Sequence, residues 1–407
     1  MESPDFVECG QPLRTPLARG QGAEYSHAEQ EGDAMTVALS RRSLLGAASA
    51  GTALALGGTP AFAEARPKEA LFGPKSGVAW LTYNENPYGP SPRAIAAMAE
   101  AASKGCYYAD DATDRLRAMI AERFGLPADH VVIGNGSTEV LSAAALEWSR
   151  QGPIITPELF FADPLAVAER HGARLIRVPL KADMSIDLDA MAAAAATNKA
   201  SMVWLCNPNN PTAMLVESGA LRQLSRQLTP HTTLLVDEAY NELTDRPVEN
   251  SIVDLVKTGR NVIVSRTFSK IYGLAGLRIG YTLSSPENAA RISSNVMTID
   301  LSTSALAAAI ASLNDQAFMA FSKNRILEAR GMILDATQRH GLQTLPSQAN
   351  FVFVRVPDAD AFKARMADRG IIIRGAYGKW KDWSRVSTGK IEDVRRYTTA
   401  LPAALGA

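Results

Sequence analysis

The sequence predicts an α/β protein, with a large part built on a mostly parallel sheet flanked by helices and a smaller α/β part at the C-terminal end. Three observations predict it. Short β-branched and aliphatic runs alternate with segments whose apolar residues recur three or four apart, the order expected of parallel strands joined by crossover helices. Each run ends in polar or turn residues, as strands buried on both faces do. After about residue 300 the rhythm changes, and long Ala/Leu/Met helices come before the next strand. A chain of 407 residues with 46% apolar and 21% charged residues can bury one large core or two unequal ones. Its 42 basic and 42 acidic residues cancel, and no basic run is interleaved with aromatics. That balance excludes an electrostatic footprint for nucleic acid and favours small-molecule chemistry.

Taken in order, residues 1–34 are polar and without hydrophobic period, and read as disordered or as an extension upstream of a start at Met35. Residues 35–63 change character. Ser40-Arg41-Arg42-Ser43-Leu44-Leu45 leads into an Ala/Gly/Leu run ending at Leu56 and then Ala61-Phe62-Ala63. This resembles a twin-arginine export signal: paired arginines for the receptor, an apolar stretch too short and glycine-rich to make a good spanning helix, and small residues for the peptidase. An uncleaved anchor or an ordinary Sec signal is the alternative. The resemblance implies cleavage after Ala63, a periplasmic enzyme, the twin-arginine export machinery as a partner, and no stable membrane span in the mature form.

Residues 64–105 read as an N-terminal arm and the start of the smaller domain, 106–300 as the large domain, and 301–407 as the small C-terminal domain. Helical period is clear at Leu116, Met119, Ile120 and Phe124, and again at Leu221, Leu224 and Leu228. Strands are predicted at 131–133, 202–206, 234–236, 262–265 and 278–283, then at 350–356, 371–373 and around Val386. No linker rich in Pro, Gly or Ser marks the boundary near 300, so the two domains should share an interface. Of the three cysteines, Cys9 lies before the leader, and Cys106 and Cys206 are far apart, which implies no disulfide framework. His130, His171, His231 and His340 lack ligand spacing, and no metal is predicted.

The most informative segment is Arg266-Thr267-Phe268-Ser269-Lys270-Ile271-Tyr272-Gly273-Leu274-Ala275-Gly276-Leu277-Arg278, which follows a buried-type strand. A lysine that forms a Schiff base must lose its proton to attack, and a tight apolar loop near cationic groups lowers its pKa. Thr267, Ser269 and Arg278 can hold a phosphate. Alone, a lysine beside a glycine-rich loop is most often a surface lysine; its neighbours decide the reading. Asp237 stands where the apolar strand 234–236 ends, the usual place for ligand groups in an open parallel sheet, and can pair with a pyridinium nitrogen. That pairing keeps a ring protonated and able to accept electrons. Tyr240 and Asn210, the latter on the rigid turn Asn207-Pro208-Asn209-Asn210-Pro211-Thr212, can hydrogen-bond the ring's phenolic oxygen. Gly136, Ser137 and Thr138 open a helical segment after the strand 131–133, so their backbone N–H groups make an anion cradle. Four such elements in this order, each after a strand, are unlikely as coincidence.

These motifs resemble the class I/II aminotransferases of fold type I, closest to the histidinol-phosphate aminotransferase branch, from about residue 80 to the end. Asn84-Glu85-Asn86-Pro87-Tyr88-Gly89-Pro90-Ser91 resembles that branch's N-terminal motif, and Tyr107-Tyr108-Ala109-Asp110 its Tyr-Pro-Asp element. The resemblance implies pyridoxal 5'-phosphate on Lys270, a homodimer with shared sites in which Tyr108 reaches the partner's cofactor phosphate, and substrate contacts from Asn84, Arg385 and Arg374. Arg385 would take a carboxylate, or a phosphate in its place, and a planar guanidinium suits that task on physical grounds as well. The chain also departs from the pattern. Gly375-Ala376 follows Arg374 where a proline is usual, Thr138 replaces an acidic residue, and Ala213 replaces a glycine. Either Phe160 or Phe161 stacks on the ring, with Phe161 favoured. Trp380 and Trp383 could line a pocket for an aromatic or extended side chain, or simply pack in their loop.

The expected activity is transfer of an amino group between an amino acid, or an amine resembling an amino-acid phosphate, and a 2-oxo acid by a ping-pong mechanism. The cofactor residues alone do not separate this from decarboxylase, lyase or oxidase chemistry on the same fold. A binding protein that keeps the cofactor without turnover is the non-enzymatic alternative, opposed by the intact set of Lys270, Asp237, Tyr240, Asn210, Arg278 and Arg385.

Overall fold

The computed structural model describes residues 71–297 and 301–406. The polar segment 1–34 and the export-signal segment 35–63 lie outside the described residues. The strands are β1 (Ala79–Trp80), β2 (Val131–Asn135), β3 (Ile154–Pro157), β4 (Leu175–Val178), β5 (Met202–Cys206), β6 (Thr233–Asp237), β7 (Val262–Thr267), β8 (Ile279–Ser284), β9 (Phe351–Arg355), β10 (Ile371–Ile372) and β11 (Trp383–Ser387).

Seven of them form one sheet in the order β2-β8-β7-β6-β5-β3-β4. Every pairing is parallel except the two made by β8, which runs antiparallel to β2 and β7. The exception has a local cause. Only residues 268–278 join β7 to β8, too few for the crossover that a parallel partner needs. That short loop is the one carrying Lys270 and Arg278.

Strands β5, β6 and β7 are buried along their whole length, which is why they read as continuous apolar runs. Their side chains alternate between two layers. Val203, Leu205, Leu234 and Val236 join the larger core on one face, and Met202, Trp204 and Leu235 join a second on the other. The flanking helices begin and end on recognisable signals. Ser91 accepts from the Ala94 N–H ahead of Pro92, and Asp187, Ser302 and Asp315 cap three others in the same way. Helix Asp110–Phe124 stops at Gly125, whose φ of 59° suits glycine.

A smaller core gathers β9 (Val352, Val354) and the helices Ala359–Ala367 and Ile391–Leu405 around Phe362, Val394 and Tyr397. It also takes Ala79 and Leu81 from the start of the described chain, because β1 pairs in parallel with β10. Helix Thr303–Leu313 packs in the larger core, and the change from one core to the other falls inside helix Gln316–Arg339, between Ile326 and Ala329.

Because β2, β5, β6 and β7 run in one direction, the loops leaving their C-terminal ends gather along one edge of the sheet. That is where an open α/β sheet binds ligands.

Candidate active site

A cavity of about 470 Å³ opens at that edge. Most of the residues expected from the sequence line it: Asn84, Ser137, Thr138, Phe161, Asn210, Asp237, Tyr240, Thr267, Ser269, Lys270, Arg278, Arg374 and Arg385.

Lys270 sits on the β7–β8 loop, which is pinned where two backbones touch. A Cβ on Gly273 (φ +69°) would lie 2.5 Å from the Gly89 Cα, so neither glycine has room for a side chain. Lys270 Nζ donates to the Tyr83 carbonyl at 3.4 Å and lies 5.6 Å from the centre of the Tyr240 ring. Burial, reinforced by the charge of Arg385 and opposed by those of Glu85 and Asp237, brings its amine down to about 8. A substantial share is therefore neutral near physiological pH.

Asp237 ends β6 and is 3% exposed. Burial drives its carboxyl up to about 7 against the pull of the Ser265 hydroxyl, the Ala239 N–H and Lys270; Cys206 Sγ lies 4.0 Å from its Oδ2, and its Oδ1 makes no close hydrogen bond among the described residues. A buried acceptor left unmatched is costly, and a ring N–H⁺ is the kind of donor that would satisfy it and restore the carboxylate. Arg266 bridges the buried carboxylate of Glu238 and the part-buried one of Glu242 at 2.7 and 2.8 Å, fixing the backbone that follows β6.

The Tyr240 hydroxyl accepts from Asn84 Nδ2 at 3.2 Å and from Asn210 Nδ2 at 3.4 Å, which leaves its own hydrogen to donate. Burial holds that phenol above its usual pKa, so it remains a donor. Asn84 is itself held in the left-handed region, φ 56°. Its N–H donates to Ser387 Oγ (3.0 Å), which returns its proton to Asn84 Oδ1 (2.6 Å).

At the other end of the cavity, helix Ser137–Ser149 presents its free N-terminal N–H groups. Arg278 lies against that turn. A Cβ on Gly136 would sit 2.1 Å from Arg278 Nη2, and one on Gly280 would sit 2.1 Å from the Ser137 N. Arg278 Nη1 donates to Ser269 Oγ (3.3 Å) and to the Ala275 carbonyl (2.9 Å). Cationic and hydroxyl donors thus surround a space closed to any side chain at 136 or 280. Gly136 backs this cradle from behind. The arrangement fits a phosphate at one end, a ring nitrogen at Asp237 and a carbonyl carbon at Lys270, the three demands of pyridoxal 5'-phosphate.

Arg385, on β11, is 6% exposed. Its Nη1 donates to Asn210 Oδ1 (2.5 Å) and its Nη2 to the Thr82 carbonyl (2.6 Å). No carboxylate among the described residues pairs with it, and burial pushes its pKa down. A buried guanidinium without a counter-ion calls for an anionic ligand. Arg374 is an exposed rim residue whose N–H donates to the Arg385 carbonyl.

Both phenylalanines line the cavity: Phe160 is buried and also packs in the second core, while Phe161 is half-buried at the wall. Tyr108 does not reach the cavity of its own chain. It is 81% exposed and lines a separate hollow of about 1090 Å³ with Tyr107 and Met297. Trp383, the first residue of β11, stacks on Phe353 (centroids 5.0 Å, 18°) and Trp380 packs in the same apolar cluster, so neither lines the cavity. The aromatic side chain that this turn brings into the cavity is Tyr377. Tyr83, Glu85 and Cys206 also line the cavity without having been singled out. Glu85 was readable as a polar member of the 84–91 motif; Cys206, the last residue of an apolar strand, carried no such signal.

Residues 76–401 match the family described as aminotransferase class I and II. The chain is 40% identical over 331 residues to the histidinol-phosphate aminotransferase of Symbiobacterium thermophilum, covering 80% of this chain and 90% of that protein. It is 36% identical to histidinol-phosphate aminotransferase 1 of Cupriavidus pinatubonensis, covering 81% and 89%. Among solved structures, the histidinol-phosphate aminotransferase of Sinorhizobium meliloti in complex with pyridoxal-5'-phosphate superposes with a TM-score of 0.75 at 32% identity, covering 81% of this chain and 91% of that one.

Proposed function

The chain belongs to the class I and II aminotransferase family, and from that premise we propose how its own residues perform the transfer. It is a pyridoxal 5'-phosphate-dependent aminotransferase that moves an amino group between an amino acid, or an amine resembling an amino-acid phosphate, and a 2-oxo acid. The observation that carries the residue assignment is the convergence on one cavity of a lysine with a lowered pKa, a buried carboxylate with one oxygen unmatched, and a buried arginine lacking a counter-ion.

Ser137, Thr138, Thr267, Ser269 and Arg278 hold the cofactor's phosphate, Asp237 its ring nitrogen, Tyr240 and Asn210 its phenolic oxygen, and Phe161 a face of its ring. Bound there, the cofactor supplies a carbonyl that captures amines and a protonated ring that takes up the electrons freed when a Cα proton leaves. Arg385, with Arg374 at the rim, orients the substrate by its anionic group, and Asn84 holds Tyr240 in place. With the cofactor in place Lys270 would take up the substrate's Cα proton and hold it for return, and its partly neutral amine suits that task. Both half-reactions use one site, so the kinetics should be ping-pong.

The relatives' names make histidinol phosphate one donor to test. The leader motif at Arg41-Arg42 supports twin-arginine export and a periplasmic enzyme, and that location favours aromatic or other secondary-metabolism amino acids over a cytoplasmic intermediate. A homodimer with Tyr108 crossing to the partner's site is supported by that tyrosine's exposure. A half-reaction screen across amino donors, following the bound cofactor's visible absorption and identifying products by mass, tests the activity. Carbon dioxide without an oxo acid would overturn transamination. Fractionation of cells producing the native chain and an Arg41→Lys, Arg42→Lys variant tests the location: export should be lost only in the variant.

A further inference from the structure

The turn that carries Tyr377 closes on itself, with the Trp380 N–H donating to the Tyr377 carbonyl at 2.9 Å and the Tyr377 N–H to the Trp380 carbonyl at 3.3 Å. Behind it, Phe353 meets the Tyr377 ring edge-on at 5.7 Å and stacks on Trp383. The ring is therefore set by packing, and it stands beside both arginines, 6.0 Å from Arg374 Cζ and 5.9 Å from Arg385 Cζ. Yet the Tyr377 hydroxyl is shielded from solvent and has no hydrogen-bond partner among the described residues. The Nε of Arg385 is in the same condition. Both terminal nitrogens of Arg385 are already engaged, by Asn210 and by the Thr82 carbonyl.

An arginine used in this way cannot offer an entirely uncommitted fork to an incoming anion. The donors left at this end of the cavity are Arg385 Nε–H and the second N–H of each of its terminal nitrogens, the Tyr377 hydroxyl and the guanidinium of Arg374. We propose that Tyr377 is a specificity-determining residue whose hydroxyl donates to the substrate's anionic group alongside the two arginines. The group it recognises is an oxyanion, supplied by a carboxylate or by a phosphomonoester. Neutral amines of the same size gain nothing from it. This rests on the anion-binding role of Arg385 stated above.

The test is Tyr377→Phe in the cofactor-loaded enzyme. The variant keeps the ring that packs on Phe353 and removes only the donor. Dissociation constants for inorganic phosphate and for acetate, read from the cofactor's visible absorption, should rise about 10- to 100-fold for the anion the hydroxyl serves, the span of a hydrogen bond to a charged group. In steady state, KM for anionic donors should rise while kcat stays within about threefold, and a primary amine lacking an anionic group should react unchanged. A loss for phosphate alone assigns the hydroxyl to phosphomonoesters, and a loss for both assigns it to oxyanions in general. Unchanged constants for both anions would overturn the proposal. Because anion binding is read without turnover, a wild-type enzyme that failed to transaminate would count against the proposed function and leave this result standing on its own.

Discussion

The chemistry converges on Lys270, and its amine sets two expectations. Replacing it with alanine should remove the bound cofactor's lysine-dependent absorption and lower turnover by roughly 10²- to 10⁴-fold, the span of a positioned acid–base group. With wild-type apoenzyme, cofactor capture should slow by about tenfold for each pH unit below about 8 and level off above it, because only the neutral amine attacks; stopped-flow mixing across pH measures this. Asp237 gives the opposite sign. Its carboxyl rises from about 4 unfolded to about 7 folded, so the folded apoenzyme binds the extra proton between those values. Its contribution to stability is full at low pH and is lost as pH rises through 7. Asp237→Asn apoenzyme should lack that loss, and a wild-type melting temperature with the same pH slope as the variant would refute the assignment. Asp237 at the end of β6, Lys270 on the loop after β7 and Arg385 within β11 stood out in the sequence on chemical grounds, and all three line the cavity. Tyr377 did not stand out, because only packing decides which aromatic of a turn crowded with them faces inward, and the eye falls on the two tryptophans.

At the scale of elements, the strand ends carry the site. β5, β6 and β7 were readable as apolar runs because both faces are covered, and β9 and β10 emerged within a residue or two of their predicted bounds. β3 and β4 were missed, being four residues each and, in β4, half-buried and interrupted by Arg177. The reversed direction of β8 was also invisible, since it follows from a loop length rather than from composition. That reversal brings Gly280 under the phosphate turn, where a Cβ would meet the Ser137 N at 2.1 Å and the Gly136 carbonyl carbon at 2.6 Å. Both are backbone atoms, so Gly280→Ala must displace the cradle itself. The expected result is cofactor affinity lowered by at least about tenfold, equivalent to roughly one charge-assisted hydrogen bond, with far-UV circular dichroism retained. Equal affinity by equilibrium titration would show that the cradle yields without cost.

For the whole molecule, the proposed shared-site dimer makes a quantitative claim. Neither Lys270→Ala nor Tyr108→Ala alone should be fully active, yet a mixed dimer holds one intact site, built from the lysine of one subunit and the tyrosine of the other. Unfolding the two variants together and refolding them should restore up to about a quarter of wild-type sites, from statistical pairing in a twofold dimer. No recovery would place Tyr108 outside the shared site. The pairing of β1 with β10 has a further consequence, one of timing. Ala79 lies beside Ile371, more than half the chain away in sequence, and the smaller core includes both Leu81 and Leu401. On a ribosome β1 emerges long before its partner exists, so the smaller core closes only after β10 and the helix Ile391–Leu405 have followed. Arg385, on β11 of that late-forming region, reaches Asn210 and Thr82 only then. The binding cavity is thus completed late, when residues around Arg385 return to those around Thr82.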